Sequence, residues 1–254
     1  MANITDLIAE GKAKRIYATE NPDEAVVYYR DETFAFHGLK RGRIIGKGEI
    51  NNLICEYMFS LLTEKGVPNH FIRRIDNRCS LIKRVEIIPV SVKVRNIVAG
   101  SLAQRTGYPI GTRLNNTVIE YCLKDAELED PLINATHITA MDLATLNEIH
   151  RMEELSLRVN EVLTECLRDI QLELIDFKLE FGRFHGEVLL ADEVSPDTCR
   201  FWDAKTHEPM DIDRFRHDLG DVEEAYQDVL HRLTGYVLKG SEEDKNENGM
   251  GEDS

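Results

Sequence analysis

Two periodicities divide the chain. Between residues 49 and 65, apolar side chains fall at Leu53, Ile54, Tyr57, Met58, Leu61 and Leu62, spacings of three and four that predict a helix with one apolar face. Gly66, Val67 and Pro68 end it, because a glycine past the last turn followed by proline stops a helix. Short runs at residues 7–10, 15–19, 25–30, 71–73 and 79–85 read as strands separated by turns, so a mainly antiparallel sheet is expected beneath that helix. Pro89 follows the apolar Ile87 and Ile88 and precedes the strand-like VSVKVRNIV, which places a boundary between two lobes at residues 85–90. A second helical stripe runs through Ile149, Met152, Leu155, Val159, Val162, Leu163, Cys166, Leu167 and Ile170, with Thr145 and Glu148 spaced for a capping box. LELIDFKLEF then switches to period two, and the turn GRFHG and EVLLADE complete a strand, tight turn and strand. Residues 211–217 and 221–233 predict two closing helices, and no internal repeat is present.

The period-two segment carries the first chemistry. Alternation puts Asp176, Lys178 and Glu180 on one face and Ile175, Phe177, Leu179 and Phe181 on the core face. Alone, this equally fits a solvated strand with an ion pair. The next strand, however, ends in Asp192 and Glu193, and a hairpin returns that end toward the first strand. Carboxylates converging from two strands with a lysine between them suit Mg²⁺ carrying polyphosphate, an ion that takes few protein oxygens and leaves the rest to water and phosphate. Upstream, GKAKR places Lys12, Lys14 and Arg15 on a glycine turn, which also reads as an ordinary charged β-turn and is no Walker A sequence. Lys83 lies beside Leu81 and Ile82, a setting that equally fits a surface lysine whose stem covers apolar area. A glycine-turn hairpin, a strand lysine before a lobe boundary and a later carboxylate hairpin follow the order of parts in protein kinases and ATP-grasp-type enzymes. Without HRD or DFG signatures, the expected substrate is small. In VRNIVAGSLAQR, Arg95, Gly100 and Ser101 precede a short helical segment and suit either a phosphate or a plain helix cap.

Composition narrows the classes. At 254 residues the chain suits one large domain or two small lobes, and its formal net charge of -15 argues against general binding to a nucleic-acid backbone. No apolar run approaches the roughly 20 residues of a membrane-spanning helix, so no membrane association is expected. The start, MANITDLIAEGKAKRIY, lacks the pattern of a secretory signal. Cys55, Cys79, Cys122, Cys166 and Cys199 are odd in number and form no CxxC pair, which predicts reduced thiols and a cytoplasmic protein. The histidines never fall at HxxxH or HExxH spacing. Residues 241–254, with six acids against one lysine, predict a disordered tail.

LIDFKLEFG, DEVSPD with RFWD behind it, GKAKRIY, and the run from Pro89 through RNIVAGS, in this order and spacing, closely resemble the SAICAR synthetase family over about residues 7–233. The resemblance implies an α+β, two-lobed fold related to kinase and ATP-grasp architectures. Its antiparallel-sheet N-terminal lobe would cover ATP (residues 1–87), and its mixed α/β C-terminal lobe would bind substrate and metal (residues 88–240). It also implies an ATP-dependent ligase of de novo purine biosynthesis. Such a ligase joins the carboxylate of carboxyaminoimidazole ribotide (CAIR) to the amine of L-aspartate, giving SAICAR, ADP and phosphate, most simply through an acyl phosphate.

In family terms, Lys12, Ala13 and Lys14 would cover the ATP phosphates, Lys83 would contact them from the sheet, and Glu86 to Ile88 would line the adenine. Glu180 and Asp192 would hold Mg²⁺. Lys178 would neutralise charge at the transferring phosphoryl group and the CAIR carboxylate, while Asp176 would orient substrate or accept the aspartate ammonium proton. Arg95, Ser101 and Arg200 would take the ribotide phosphate. Lys124, Asp125, Asp130 and Asn134, with Arg214 and Arg216, mark the expected neighbourhood of aspartate, and family members are often homo-oligomers. The chain departs from the family at Ser91, where glutamate is usual, at Lys93, where a hydrophobic residue is usual, and at His37, where asparagine is common. Those departures leave open a divergent ligase using another amine or carboxylate, and a non-catalytic nucleotide-binding protein is the other alternative.

Overall fold

The computed structural model describes residues 4–11, 13–35 and 39–235. The strands β1 (Ile4–Glu10), β2 (Lys14–Thr19) and β3 (Glu24–Tyr29) form an antiparallel meander, followed by a separate hairpin of β4 (Glu32–Ala35) and β5 (Lys40–Arg43). Helix α1 (Lys47–Glu64) comes next, and then β6 (Phe71–Arg74) and β7 (Cys79–Lys83) complete a five-stranded sheet in the order β1-β2-β3-β7-β6. The apolar stripe of α1 buries Ile54, Met58 and Leu62 against Val27, Ile82 and the rest of the core. Gly66, with φ 80°, turns the chain out of the helix. The β4–β5 hairpin is absent from the periodicity because β5 reads KRGR and has no apolar residue to alternate.

The second sheet contains β8 (Glu86–Ile97), β9 (Arg113–Leu123), β10 (Leu132–Ile133), β11 (Leu172–Phe184), β12 (Glu187–Ala191) and β13 (Cys199–Asp203). Its order is β10-β9-β8-β11-β12, and β13 pairs with the first half of β11. The chain changes sheet between Lys83 and Glu86, and residues 86–90 already run in the large sheet. Pro89, which has no N–H to give a ladder, sits where the β8–β11 register shifts between Ser91↔Glu180 and Ile87↔Gly182.

Between the strands lie α2 (Gly100–Thr106), α3 (Ala135–Ala140), α4 (Leu146–Asp169), α5 (Asp213–Arg216) and α6 (Val222–Thr234). The capping box predicted for α4 forms, with the Glu148 N–H donating to Thr145 Oγ1 at 3.2 Å and the Thr145 N–H to Glu148 Oε2 at 2.7 Å. Its stripe, from Ile149 to Leu167, packs on Phe177, Leu179 and Phe181 of β11. Residues 211–217, expected as a full helix, yield only the four residues of α5. Among the described residues, no helix is long and apolar enough to cross a membrane.

One predicted face differs. Leu174 belongs to the main core, as do Phe177, Leu179 and Phe181, whereas Ile175 packs separately with Ile97, Ala99 and Trp202. A register shift against β13 between Leu174 and Asp176 adds one residue to β11 and inverts the alternation there. Ile175 therefore leaves the core face, and Asp176 stays on the same side as Lys178 and Glu180. At the other end of the hairpin His185 and Gly186 both adopt positive φ, 49° and 84°, the two-residue turn whose twist matches antiparallel strands.

Candidate active site

Asp176, Lys178 and Glu180 of β11 form the floor of a cleft of about 680 Å³. On neighbouring β8, Arg95 lies opposite Asp176, Lys93 opposite Lys178 and Ser91 opposite Glu180. Arg200 of β13 flanks Asp176 from the other side. The end of β12 brings in Asp192, whose left-handed φ of 64° bends the backbone as the chain leaves the strand, a conformation aspartate tolerates better than most side chains. Ala13 and Lys14 of the first hairpin line the same cleft from the five-stranded sheet, and Thr33 and Phe34 of β4 line it from the separate β4–β5 hairpin. Strands from all three sheets thus bring together side chains that lie far apart in the sequence.

At one end, ammonium and carboxylate groups alternate. Lys14 Nζ pairs with Asp192 and lies 3.2 Å from Glu193. Glu180 accepts from Lys124 and, at 2.7 Å, from Lys178. Burial alone would push the Asp192 carboxyl up, but Lys14 and Lys178 hold it well below the usual carboxylate range. Glu193, 5% exposed, goes the other way: burial outweighs the attraction of Lys14 and raises it. Burial would also lower Lys178, yet Glu180 and Asp192 raise it above an ordinary lysine. Beneath this end, the fully buried Lys47 pairs with Asp197 at 2.5 Å, and Tyr226 donates to the same carboxylate at 2.6 Å.

At the other end, Asp176 is clasped by two guanidinium groups, Arg95 at 2.9 Å and Arg200 at 2.8 Å. Arg95 also donates to Ser101 Oγ at 2.9 Å, and Arg200 to Asp213 at 2.6 Å. Gly100 is required here on two counts. Its φ is +49°, and a Cβ would meet Arg200 Nη2 at 2.7 Å. The result is a pair of aligned guanidinium forks with a hydroxyl beside them, a donor geometry suited to a phosphate.

Of the residues singled out in the sequence, Ala13, Lys14, Arg95, Ser101, Asp176, Lys178, Glu180, Asp192 and Arg200 all line this one cleft. Lys83, Glu86 and Ile88 do not. Lys83 Nζ donates to the Asn69 carbonyl at 3.2 Å, Glu86 pairs with Arg183 at 2.9 Å, and the Ile88 side chain is fully buried in the core, leaving only its backbone for a ligand. Lys12 and His37 lie outside the described residues.

Of the loop marked for aspartate, Lys124 and Asp130 line the cleft, while Asn134 caps α3 and Asp125 accepts the Glu127 N–H. Arg216 lines the cleft, whereas Arg214 donates to the Gly220 and Pro209 carbonyls. Lys47 and Asp197 escaped the sequence reading because nothing in a helix start or a turn signals that two side chains 150 residues apart will pair. Among the described residues no cluster of three or more His, Cys, Asp or Glu side chains stands ready to hold a metal.

Comparison with known proteins places this geometry. The family model for SAICAR synthetase matches residues 7–233. A phosphoribosylaminoimidazole-succinocarboxamide synthase of Persephonella marina is 53% identical over 224 residues, which is 88% of this chain and 94% of the relative. The crystal structure of the same-named synthase from Ehrlichia chaffeensis superposes with a TM-score of 0.89 at 40% identity, covering 92% of this chain and 100% of that one. A SAICAR synthetase (Type-2) in complex with ADP also gives 0.89, at 41% identity, with 91% and 99% covered. With its cleft built from the motifs that suggested the resemblance, and with relatives matching along nearly their whole length, the chain belongs to the SAICAR synthetase family.

Proposed function

We propose that the cleft activates the carboxylate of CAIR with ATP and passes it to L-aspartate, with Lys178 at the point of transfer. The observation that carries this reading is the coexistence, in one cleft, of a lysine–carboxylate end and an arginine–serine end, with Lys178 between them. A relative solved in complex with ADP supports nucleotide binding by this chain.

In this reading the small sheet, within residues 1–87, covers the nucleotide through Ala13 and Lys14, and residues 88–240 hold the substrates. Arg95, Arg200 and Ser101 take the ribotide phosphate. Asp176, with both oxygens engaged by guanidinium groups, aligns those forks rather than accepting a proton. The CAIR carboxylate oxygen attacks the γ-phosphorus of ATP, forming a C–O–P bond as the bond to the β-phosphate oxygen breaks and ADP leaves. The aspartate ammonium gives a proton to solvent, the free amine attacks the acyl carbon, the C–O bond to phosphate breaks, and phosphate departs carrying the second N–H proton. Lys178 supplies a positive charge that neutralises the charge gathering on the transferring group.

Glu180 and Asp192 would hold Mg²⁺. Their hard oxygens fit an ion that accepts one or two carboxylates and fills its octahedron with water and phosphate, and no preformed cage is needed. When bound, Mg²⁺ supplies charge neutralisation of the polyphosphate. Lys14, Lys124 and Lys178, which pair with these two carboxylates, would be available to phosphate oxygens if the carboxylates held the ion.

The test is product formation by purified protein with Mg-ATP, CAIR and L-aspartate. Phosphate release that requires both CAIR and aspartate, with SAICAR as product, is expected. ATP binding without turnover would overturn the reading, and a clear preference for another amine would replace aspartate in it.

A further inference from the structure

The cations lining the cleft are, with one exception, already paired. Lys14, Lys47, Lys124, Lys178 and the three arginines each hold a carboxylate of the protein. Among the described residues, Lys93 alone lines the cleft with no carboxylate in an ion pair. Its cross-strand neighbours explain why. On β9 it lies opposite Glu120, but that carboxylate is engaged by Arg95 at 2.7 Å and by Arg105. On β11 it lies opposite Lys178, a like charge on the same face. Two residues back on β8, Ser91 offers a hydroxyl and no charge.

Like charges placed directly opposite one another on adjacent strands destabilise a sheet unless an anion lies between them. Glu180 answers Lys178 and Glu120 is held by two arginines, so Lys93 itself forms no ion pair among the described residues, and the pair faces the cleft. We infer that Lys93 and Lys178 form a two-cation clamp for the carboxylate of CAIR, so that Lys93 is a further substrate-binding residue of this chain. This inference rests on the proposed function and extends it. Position 93 lies midway along β8 between Arg95, at the phosphate end, and Ser91, opposite Glu180 at the metal end. The clamp therefore sits where a ribotide anchored by its phosphate carries its other anionic group. A second ammonium there lowers the cost of desolvating that carboxylate as the cleft fills, before any phosphoryl group arrives.

Isothermal titration of CAIR into the protein without ATP or magnesium separates this role from turnover. Lys93→Met, which keeps length and apolar stem but removes charge, is expected to weaken CAIR roughly tenfold, about 1.4 kcal/mol, and to flatten the dependence of affinity on salt. In turnover assays KM for CAIR rises by the same factor while KM for ATP stays within twofold, and Lys93→Arg recovers most of the affinity. Thermal melting of ligand-free Lys93→Met is expected to match or exceed that of the parent, because a like-charge opposition is relieved; Lys93→Gln is the second variant if Met folds poorly. Unchanged CAIR affinity in a Met or Gln variant, or a fall in ligand-free melting temperature with equal losses for CAIR and ATP, overturns the clamp. A parent protein that makes SAICAR while the variants bind CAIR normally refutes this inference alone. A parent that neither binds CAIR nor makes SAICAR refutes the proposed function as well.

Discussion

Lys14 Nζ, on the second strand of the small sheet, pairs with the carboxylate of Asp192 at the end of β12, 178 residues along the chain. The contact joins the two sheets at the mouth of the cleft and sets an ammonium beside a carboxylate that would hold magnesium. It also explains how a chain of formal net charge -15 presents cations to anionic substrates. Asp176, Glu180, Asp192, Glu193 and Asp197 are each matched by a base at short range, where local field dominates over total charge.

Asp192→Asn keeps the shape of that side chain and removes its charge. The magnesium concentration for half-maximal activity is expected to rise on the order of tenfold, with a smaller change in KM for CAIR. Magnesium titrations at saturating ATP check this, and an unaltered requirement would remove Asp192 from the metal site.

Lys178→Met takes away a charge assigned to the transition state. A loss of about 2.7–4 kcal/mol, read as a fall in kcat of about two to three orders of magnitude, is expected from donors in such positions. Steady-state kinetics with all three substrates saturating decide the point. A kcat within threefold of the parent would exclude the role.

Arg200→Lys preserves charge but loses the fork that reaches both Asp176 and Asp213. KM for CAIR should increase by roughly tenfold or more, as expected for a lost charge-assisted hydrogen bond of about 1.5–3 kcal/mol. The dephosphorylated nucleoside should bind parent and variant alike. Equal penalties for nucleotide and nucleoside would argue against a phosphate contact.

Tyr226→Phe deletes a buried donor to Asp197, the partner of Lys47. The carboxylate then loses one of its two strong partners, and a destabilisation of about 1–3 kcal/mol is expected. Urea denaturation of the two proteins provides the comparison, and no change in midpoint would contradict the network.

Glu148 gives a stability signal that depends on acid. The Arg183 hydrogen bond, acting against burial and with help from Thr145, lowers its carboxyl to about 2. A depressed folded-state value contributes stability above the ordinary glutamate range and loses it as pH falls toward 2. Glu148→Gln, which can keep the capping box but not the charge opposite Arg183, is therefore expected to be less stable than the parent at neutral pH, by about 0.2–1 kcal/mol for a partly exposed ion pair. The difference should shrink as pH drops from about 4.5 toward 2. Chemical denaturation across that range measures it, and a constant difference would refute the assignment.

Repeating local patterns decided much of this protein before any folding was considered. Helix α4 with its Thr145–Glu148 box, the stripe of α1, the His185–Gly186 turn and the shared face of Lys178 and Glu180 all follow from periods of 3.6 and two and from end signals within a few residues. The resemblance carried by LIDFKLEFG and GKAKRIY reached further, to the cleft residues themselves. Only the tertiary structure decided what those patterns cannot encode. The inserted residue in β11 that sends Ile175 out of the main core depends on pairing with β13, which no local period reports. The β4–β5 hairpin forms from strands too short and polar to alternate. Lys47 with Asp197, and Lys93 facing Lys178 without a carboxylate of its own, are consequences of which strands become neighbours, a relation set by long-range packing and invisible to spacing along the chain.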